Sequence, residues 1–72
     1  MFETIKSIAI DLWDNDARMS FAELAEELGF YGRNAPRRAG QAVQNAWNFY
    51  DDRGDSRACS AISRAFWRQG RC

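Results

Sequence analysis

A chain of 72 residues forms one small domain with room for three or four short elements and no room for a deep substrate cavity. Its ten aromatic residues supply much of the apolar area that so small a core needs. There is no histidine, and Cys59 and Cys72 stand alone, so we expect no metal site and no cofactor. The two thiols form at most one disulfide and are expected to be reduced.

The first segment, MFETIKSIAIDLW, is the part of the chain in which a signal peptide or a membrane span would be expected. It has no basic leader and no long apolar run, because Glu3, Lys6 and Asp11 interrupt it. It is therefore typical neither of a signal peptide nor of a membrane span. We expect a cytoplasmic protein with no membrane partner.

The net charge of zero conceals two halves of opposite sign. Residues 1–30 hold two basic and seven acidic side chains, whereas residues 31–72 hold eight basic and three acidic ones. The halves therefore carry −5 and +5. One interpretation is that they pair with each other across the folded surface. The other is an anionic partner, since every basic residue except Lys6 is arginine, which binds phosphate and guanine edges through its planar fork.

Apolar spacings of three and four predict a first helix over residues 2–13, ended by the polar residues that follow. Ser20 and Glu23 form a capping-box pair that predicts the start of a second helix. Its buried stripe contains Phe21, Leu24, Ala25 and Leu28, and Gly29 is suited to end it in the left-handed conformation.

The turn GFYGRNAP separates the second helix from a third. Asn34 is the expected N-cap, and Pro36 suits the first turn because its missing N–H is not needed there. We predict that the third helix covers residues 35–50. Its core side should contain Ala39, Val43, Ala46, Trp47 and Tyr50.

The residues after DDRGDS fit two alternatives. Read with helical periodicity, Ala58, Ile62, Ala65 and Phe66 share one face, with Ser56 as the cap. Read with a period of two, residues 58–67 alternate as a strand would. The pattern leaves both open, while the alanine and arginine content favours the helix.

The outer face of the third helix carries an amide-rich stripe. At 100° per residue, Gln41, Gln44 and Asn48 fall within about 40° of Arg37, with Asn45 beside them. Within the predicted third helix and the residues that follow it, the first carboxylate is that of Asp51. Arginine bonds to guanine, and asparagine or glutamine to adenine, through the base edges of the major groove. The stripe is also compatible with a merely solvated amide face.

The segment SFAELAEELGFYGRNAPRRAGQAV adds a resemblance to these residues. Over residues 19–50 the chain resembles the helix-turn-helix of winged-helix DNA-binding domains, including the variant in DNA alkyltransferase-like proteins. In that family the motif opens with Ser or Thr, an aromatic, any residue, Glu, Leu and Ala. A glycine turn then leads into the helix that enters the groove. The resemblance implies a mainly α domain over residues 1–72, with a three-helix core and a short C-terminal wing, for which a fourth helix is the alternative.

A wing would turn SRACSAISRAFWRQGRC into strand, turn and strand, with Arg57, Arg64 and Arg68 near phosphate. No clear hairpin turn occurs there. Alkyl transfer is not implied, because Cys59 lies in Arg-Ala-Cys-Ser and not in the Pro-Cys-His-Arg motif of alkyltransferases.

Catalysis is not expected. The chain lacks histidine, and its carboxylates fall in turns or on wet helix faces. Catalysis by Cys59 would need a neighbouring base or a helix N-terminus to lower the pKa of its thiol, a role in which Arg57 and Arg64 could help, but the residue is interpreted as a small packing residue. The glycines of the turn lack the Lys-Ser/Thr of a phosphate-binding loop. We predict no small-molecule substrate.

These observations lead to two hypotheses. The first is a small sequence-specific binder of double-stranded DNA, a regulator or architectural factor of a size common in phage, and dimeric because one helix gives limited affinity. In it the base-reading residues are Arg37, Gln41, Gln44 and Asn48, and the phosphate-contacting residues are Arg33, Arg38, Arg53, Arg57 and Arg64. The second is a protein-binding adaptor or inhibitor, of the phage anti-defence type, that uses the same fold to dock on a protein.

Overall fold

The computed structural model describes residues 1–67, and these form four helices. They are α1 (Phe2–Asp14), α2 (Phe21–Leu28), α3 (Ala35–Asp52) and α4 (Ser56–Phe66). Among these residues there is no β-strand, so the mainly α fold is confirmed and the fourth helix replaces the wing. None of the four helices combines the length and the apolar content needed to cross a membrane.

The predicted limits of α1 and α2 agree with the structure because local signals set them. The hydroxyl of Ser20 accepts from the N–H of Glu23, whose carboxylate accepts from the N–H of Ser20, at 3.1 and 3.0 Å. Gly29 ends α2 in the left-handed region with φ 81°. After α1, Asp16 also has a positive φ of 53°, a conformation that aspartate tolerates better than most residues.

The start of α4 differs from the prediction. The N-cap is Asp55 and not Ser56, because the Asp55 carboxylate accepts a hydrogen bond from the N–H of Ala58 at 3.2 Å. The same carboxylate binds the ammonium group of Lys6 on α1 at 2.9 Å. A carboxylate at a helix N-terminus is favoured by the exposed N–H groups and the helix dipole.

The helices pack around a core made largely of alanine. α1 packs on α4 and α3, and α2 packs on α3. The largest fully buried side chains are Ile5, Leu24, Val43 and Ile62, one from each helix. α3 also packs on α4, and both helices contribute buried alanines to the core. The predicted core side of α3 is buried except for Trp47, which is half-buried.

Candidate nucleic-acid interface

The α2–α3 arrangement fixes how the outer face of α3 is presented. Phe21, the first residue of α2, lies against Gly40 of α3, where a Cβ atom would stand 3.1 Å from the phenyl ring. The connecting turn, residues 29–34, is longer than the about three or four residues of a standard helix-turn-helix. The two helices are therefore packed in contact, with a longer link than the motif usually has.

The predicted base-reading residues lie together and all are exposed. Arg37, Gln41, Gln44 and Asn48 occupy one side of α3, with Asn45 next to them. The Gln41 amide donates to the Asn45 carbonyl oxygen, and the Gln44 amide donates to that of Asn48, both at 3.1 Å. In each pair the glutamine carbonyl oxygen and the asparagine amide group take no part in that hydrogen bond. An acceptor and a donor are the groups that an adenine edge requires.

The stripe has a polarity along the helix axis. Arg37 lies in the first turn of α3, and the carboxylates Asp51 and Asp52 lie at its other end, about 21 Å away along the axis. The N-terminal half of the face is therefore the part without acidic side chains. In helix-turn-helix complexes this N-terminal part of the second helix contacts the bases.

The arginines near that end are held by the turn. The N–H of Phe30 donates to the carbonyl of Ala25 at 2.8 Å, the bond that follows a left-handed glycine cap. Arg38 stacks over the Phe30 ring, with the guanidinium carbon 4.7 Å from the ring centroid. Arg33 is exposed in the turn itself. Gly29 thus fixes Phe30, and Phe30 positions Arg38.

The other predicted phosphate contacts lie elsewhere. Arg53 caps the C-terminus of α3 and stacks on Phe49 at 4.3 Å, about 24 Å along the axis from Arg37. Arg57 lies in the first turn of α4, near the Lys6–Asp55 pair. The structure therefore groups Arg33, Arg37 and Arg38 and separates these two from them.

Arg64, also a predicted phosphate contact, lies apart from both the Arg33–Arg38 group and the Arg53 and Arg57 positions. Its guanidinium donates to the Asp16 carboxylate at 2.8 Å and lies 5.8 Å from the Trp13 ring centroid. Among residues 1–67 it is the one ion pair in which a basic side chain of the second half binds an acidic side chain of the first half. In the Lys6–Asp55 pair, the base comes from the first half and the acid from the second. The two halves are therefore not broadly neutralised by direct pairing in this part of the chain. Arg68, assigned to phosphate through the wing, lies outside the described residues.

One exposed residue near the interface was not predicted from the sequence. Tyr31 is 81 % exposed in the α2–α3 turn, two residues before Arg33. A sequence pattern gives no signal for it, because an aromatic in a turn is usually expected to reach the core. Tyrosine hydroxyls are among the groups that contact phosphate oxygens in protein–DNA complexes.

Cys59 is buried, and burial raises the pKa of its thiol, with the Asp51 and Asp55 carboxylates acting in the same direction. Its sulfur lies 3.6 Å from the Trp47 carbonyl oxygen. A buried thiol with a raised pKa is a weak nucleophile, as the packing interpretation requires. Its partner in any disulfide, Cys72, lies outside the described residues.

Comparisons of the chain with protein-family models, with curated proteins and with solved structures find no match.

Proposed function

We propose that the protein binds double-stranded DNA by placing the outer face of α3, from Arg37 to Asn48, in the major groove. The observation that carries this proposal is the exposed stripe of Arg37, Gln41, Gln44 and Asn48, which has no carboxylate until Asp51. Solvated helix faces usually carry carboxylates, as the exposed face of α2 does with Glu23, Glu26 and Glu27. The stripe offers the groups that read guanine and adenine.

The surrounding side chains support the same orientation. Arg33 and Arg38 flank the N-terminal end of α3, where they would meet the phosphates on either side of the groove. Tyr31 is exposed in the turn that precedes α3 and would add a hydroxyl donor. Arg53, Arg57 and Arg64 would reach phosphate only from a second copy or from bent DNA, so a dimer remains part of the proposal.

Charge reversal at the N-terminus of α3 tests the assigned face. We expect Arg37→Glu to weaken binding to a fluorescein-labelled pool of random duplexes by at least about tenfold, and Arg37→Glu with Arg38→Glu to abolish it. Arg18→Glu makes the same change in net charge between α1 and α2 and should cost less than about threefold. Circular dichroism checks that each variant is folded.

The outcomes separate the two hypotheses. If the double reversal leaves DNA binding intact, the stripe is not the interface. If the wild-type chain does not bind DNA at low salt, the stripe is better explained as a docking face for a protein. In that case substitutions at Glu23, Glu26 and Glu27 should alter partner binding, which the DNA hypothesis does not predict.

A further inference from the structure

All three tryptophans of the chain line one open cleft. The cleft has a volume of about 690 Å³ and lies between the C-terminal end of α1, the C-terminal half of α3 and one side of α4. Trp13 comes from α1, Trp47 from α3, and Trp67 follows α4. This convergence joins residues that are far apart in the sequence, and the proposed DNA contacts of α3 do not use it.

The walls of the cleft are flat and aromatic. The Trp47 and Trp67 rings are 6.1 Å apart between centroids and inclined at 44°. The centroid of the Trp13 ring lies 5.8 Å from the guanidinium carbon of Arg64. A volume of this size is within the range of sites for small ligands, which combine apolar walls with a few converging polar groups.

The polar groups of the cleft are cationic or neutral hydrogen-bond donors. Arg18 and Arg64 are exposed along its edge, and Ser60 and Ser63 contribute hydroxyls from α4. The only carboxylate that contacts these two arginines within residues 1–67 is that of Asp16, which accepts from Arg64. The charge of the cleft therefore complements an anion.

Trp47 adds an independent feature. Its indole N–H is buried and has no hydrogen-bond acceptor among residues 1–67. A buried donor without an acceptor is unfavourable, and most such groups in folded proteins are paired. The ring that carries this donor is part of the cleft wall.

We propose that this cleft binds a small planar aromatic carboxylate. The ring of the ligand would pack between the indoles of Trp13, Trp47 and Trp67, and its carboxylate would bind the guanidinium groups of Arg18 and Arg64. Arginine binds carboxylates through paired, charge-assisted hydrogen bonds, and stacking on the rings adds to this. The inference does not rest on DNA binding, since its ligand is different and Arg64 is the one residue that the two proposals share.

Asp16 makes the proposal testable in two opposite directions. Its carboxylate is 85 % exposed and occupies one side of the Arg64 guanidinium, where a ligand carboxylate would compete with it. Asp16→Asn removes that competitor, and asparagine tolerates the positive φ of this position. The variant should bind the ligand about threefold more tightly, whereas Arg64→Gln should bind it about tenfold more weakly.

The experiment is a titration of the full chain with naphthalene-2-carboxylate, followed by the three indole N–H signals in nitrogen–proton NMR spectra. We expect those signals to shift in a saturable way, that of Trp47 included. The uncharged naphthalene-2-carboxamide should bind at least about tenfold more weakly. Arg18→Gln should weaken binding of the acid, and Arg37→Gln on the α3 stripe is the matched control that should not.

Three results would overturn the proposal. The first is no movement of the indole signals at acid concentrations of about 1 mM, which corresponds to negligible affinity. The second is equal binding of the acid and the amide, which would indicate unspecific stacking. The third is a change of affinity in the same direction for Asp16→Asn and Arg64→Gln. Because Asp16→Asn and Arg18→Gln alter exposed side chains, they keep the test valid if Arg64→Gln fails to fold.

Discussion

The Lys6 ammonium group on α1 lies 2.9 Å from the carboxylate of Asp55, which caps α4. The two residues are 49 positions apart, and their contact connects the first helix to the last. Both side chains are about one third exposed, so the pair is only partly shielded from water. Asp55 thus has two roles, as a helix cap and as one partner of an ion pair.

Because of the Lys6–Asp55 pair, we expect the free energy of unfolding to depend on pH in the acidic range. The hydrogen bond from Lys6 lowers the pKa of Asp55 below its ordinary value of 3.8, and the N–H of Ala58 acts in the same direction. A lowered folded-state pKa stabilises the protein above the unfolded value, and this contribution is lost as the pH falls through the folded value. The same hydrogen bond raises the pKa of Lys6 above 10.5, so its contribution is lost only at a pH above that value.

Asp55→Asn keeps a side chain that caps helices but removes the ion pair. We expect it to lower the Tm at pH 7, with the difference from wild type shrinking toward pH 2, because the Asp55 carboxylate is protonated as the pH falls through its lowered pKa. Asp55→Ala should lower the Tm by a further about 4–8 °C at either pH, because the cap is lost as well. Thermal unfolding followed by circular dichroism from pH 2 to 8 measures this. A difference that stays constant over that range would contradict the assigned pair.

The contact between Gly40 and Phe21 predicts coupled effects of substitutions at the two positions. Alanine in place of a helical glycine is worth about 1 kcal/mol, but a Cβ at Gly40 would press on the Phe21 ring at 3.1 Å. Gly40→Ala alone should therefore change the Tm little. In a Phe21→Ala background, where the ring is gone, the same change should raise the Tm by about 4–8 °C. Equal effects in both backgrounds would show that the ring does not limit this position.

We expect substitutions at the base-reading residues to change sequence preference, and substitutions at the phosphate-contacting residues to change affinity for all sequences. Gln44→Ala removes an amide from the predicted reading face and should reduce discrimination at one base pair by about 1–3 kcal/mol. Arg33→Gln removes a phosphate contact, so it should weaken all sequences alike and reduce the salt slope by about 0.9. Selection of binding sites from a random duplex library, followed by titrations on matched duplexes, separates the two effects. A change of preferred sequence in Arg33→Gln would reverse the assignment.

The features that the sequence predicts correctly are the local ones. The Ser20–Glu23 capping box, the Gly29 terminator and the exposed stripe of α3 depend on residues at most a few turns apart, so spacing alone identifies them. The fourth helix was one of two alternatives, because short alternation in residues 58–67 also fits a strand. The cap of α4 is Asp55 and not Ser56, and the contact of Asp55 with Lys6, 49 positions away, gives no local signal in the sequence.

The tryptophan cleft and the Arg64–Asp16 pair were not predictable from spacing. Trp13, Trp47 and Trp67 belong to three different segments, and their convergence depends on how α1 lies against α3 and α4. Asp16 and Arg64 are 48 positions apart. Such contacts follow from packing and leave no periodic signal in the chain.

The central claim is that the α3 face binds duplex DNA, and its most direct test is fluorescence anisotropy of the labelled duplex pool at three salt concentrations. We expect binding that weakens with salt at a log–log slope between about −2, if only Arg33 and Arg38 reach phosphate, and about −4.5, if all five assigned arginines do. No binding at the lowest salt, or a slope near zero, would contradict the claim.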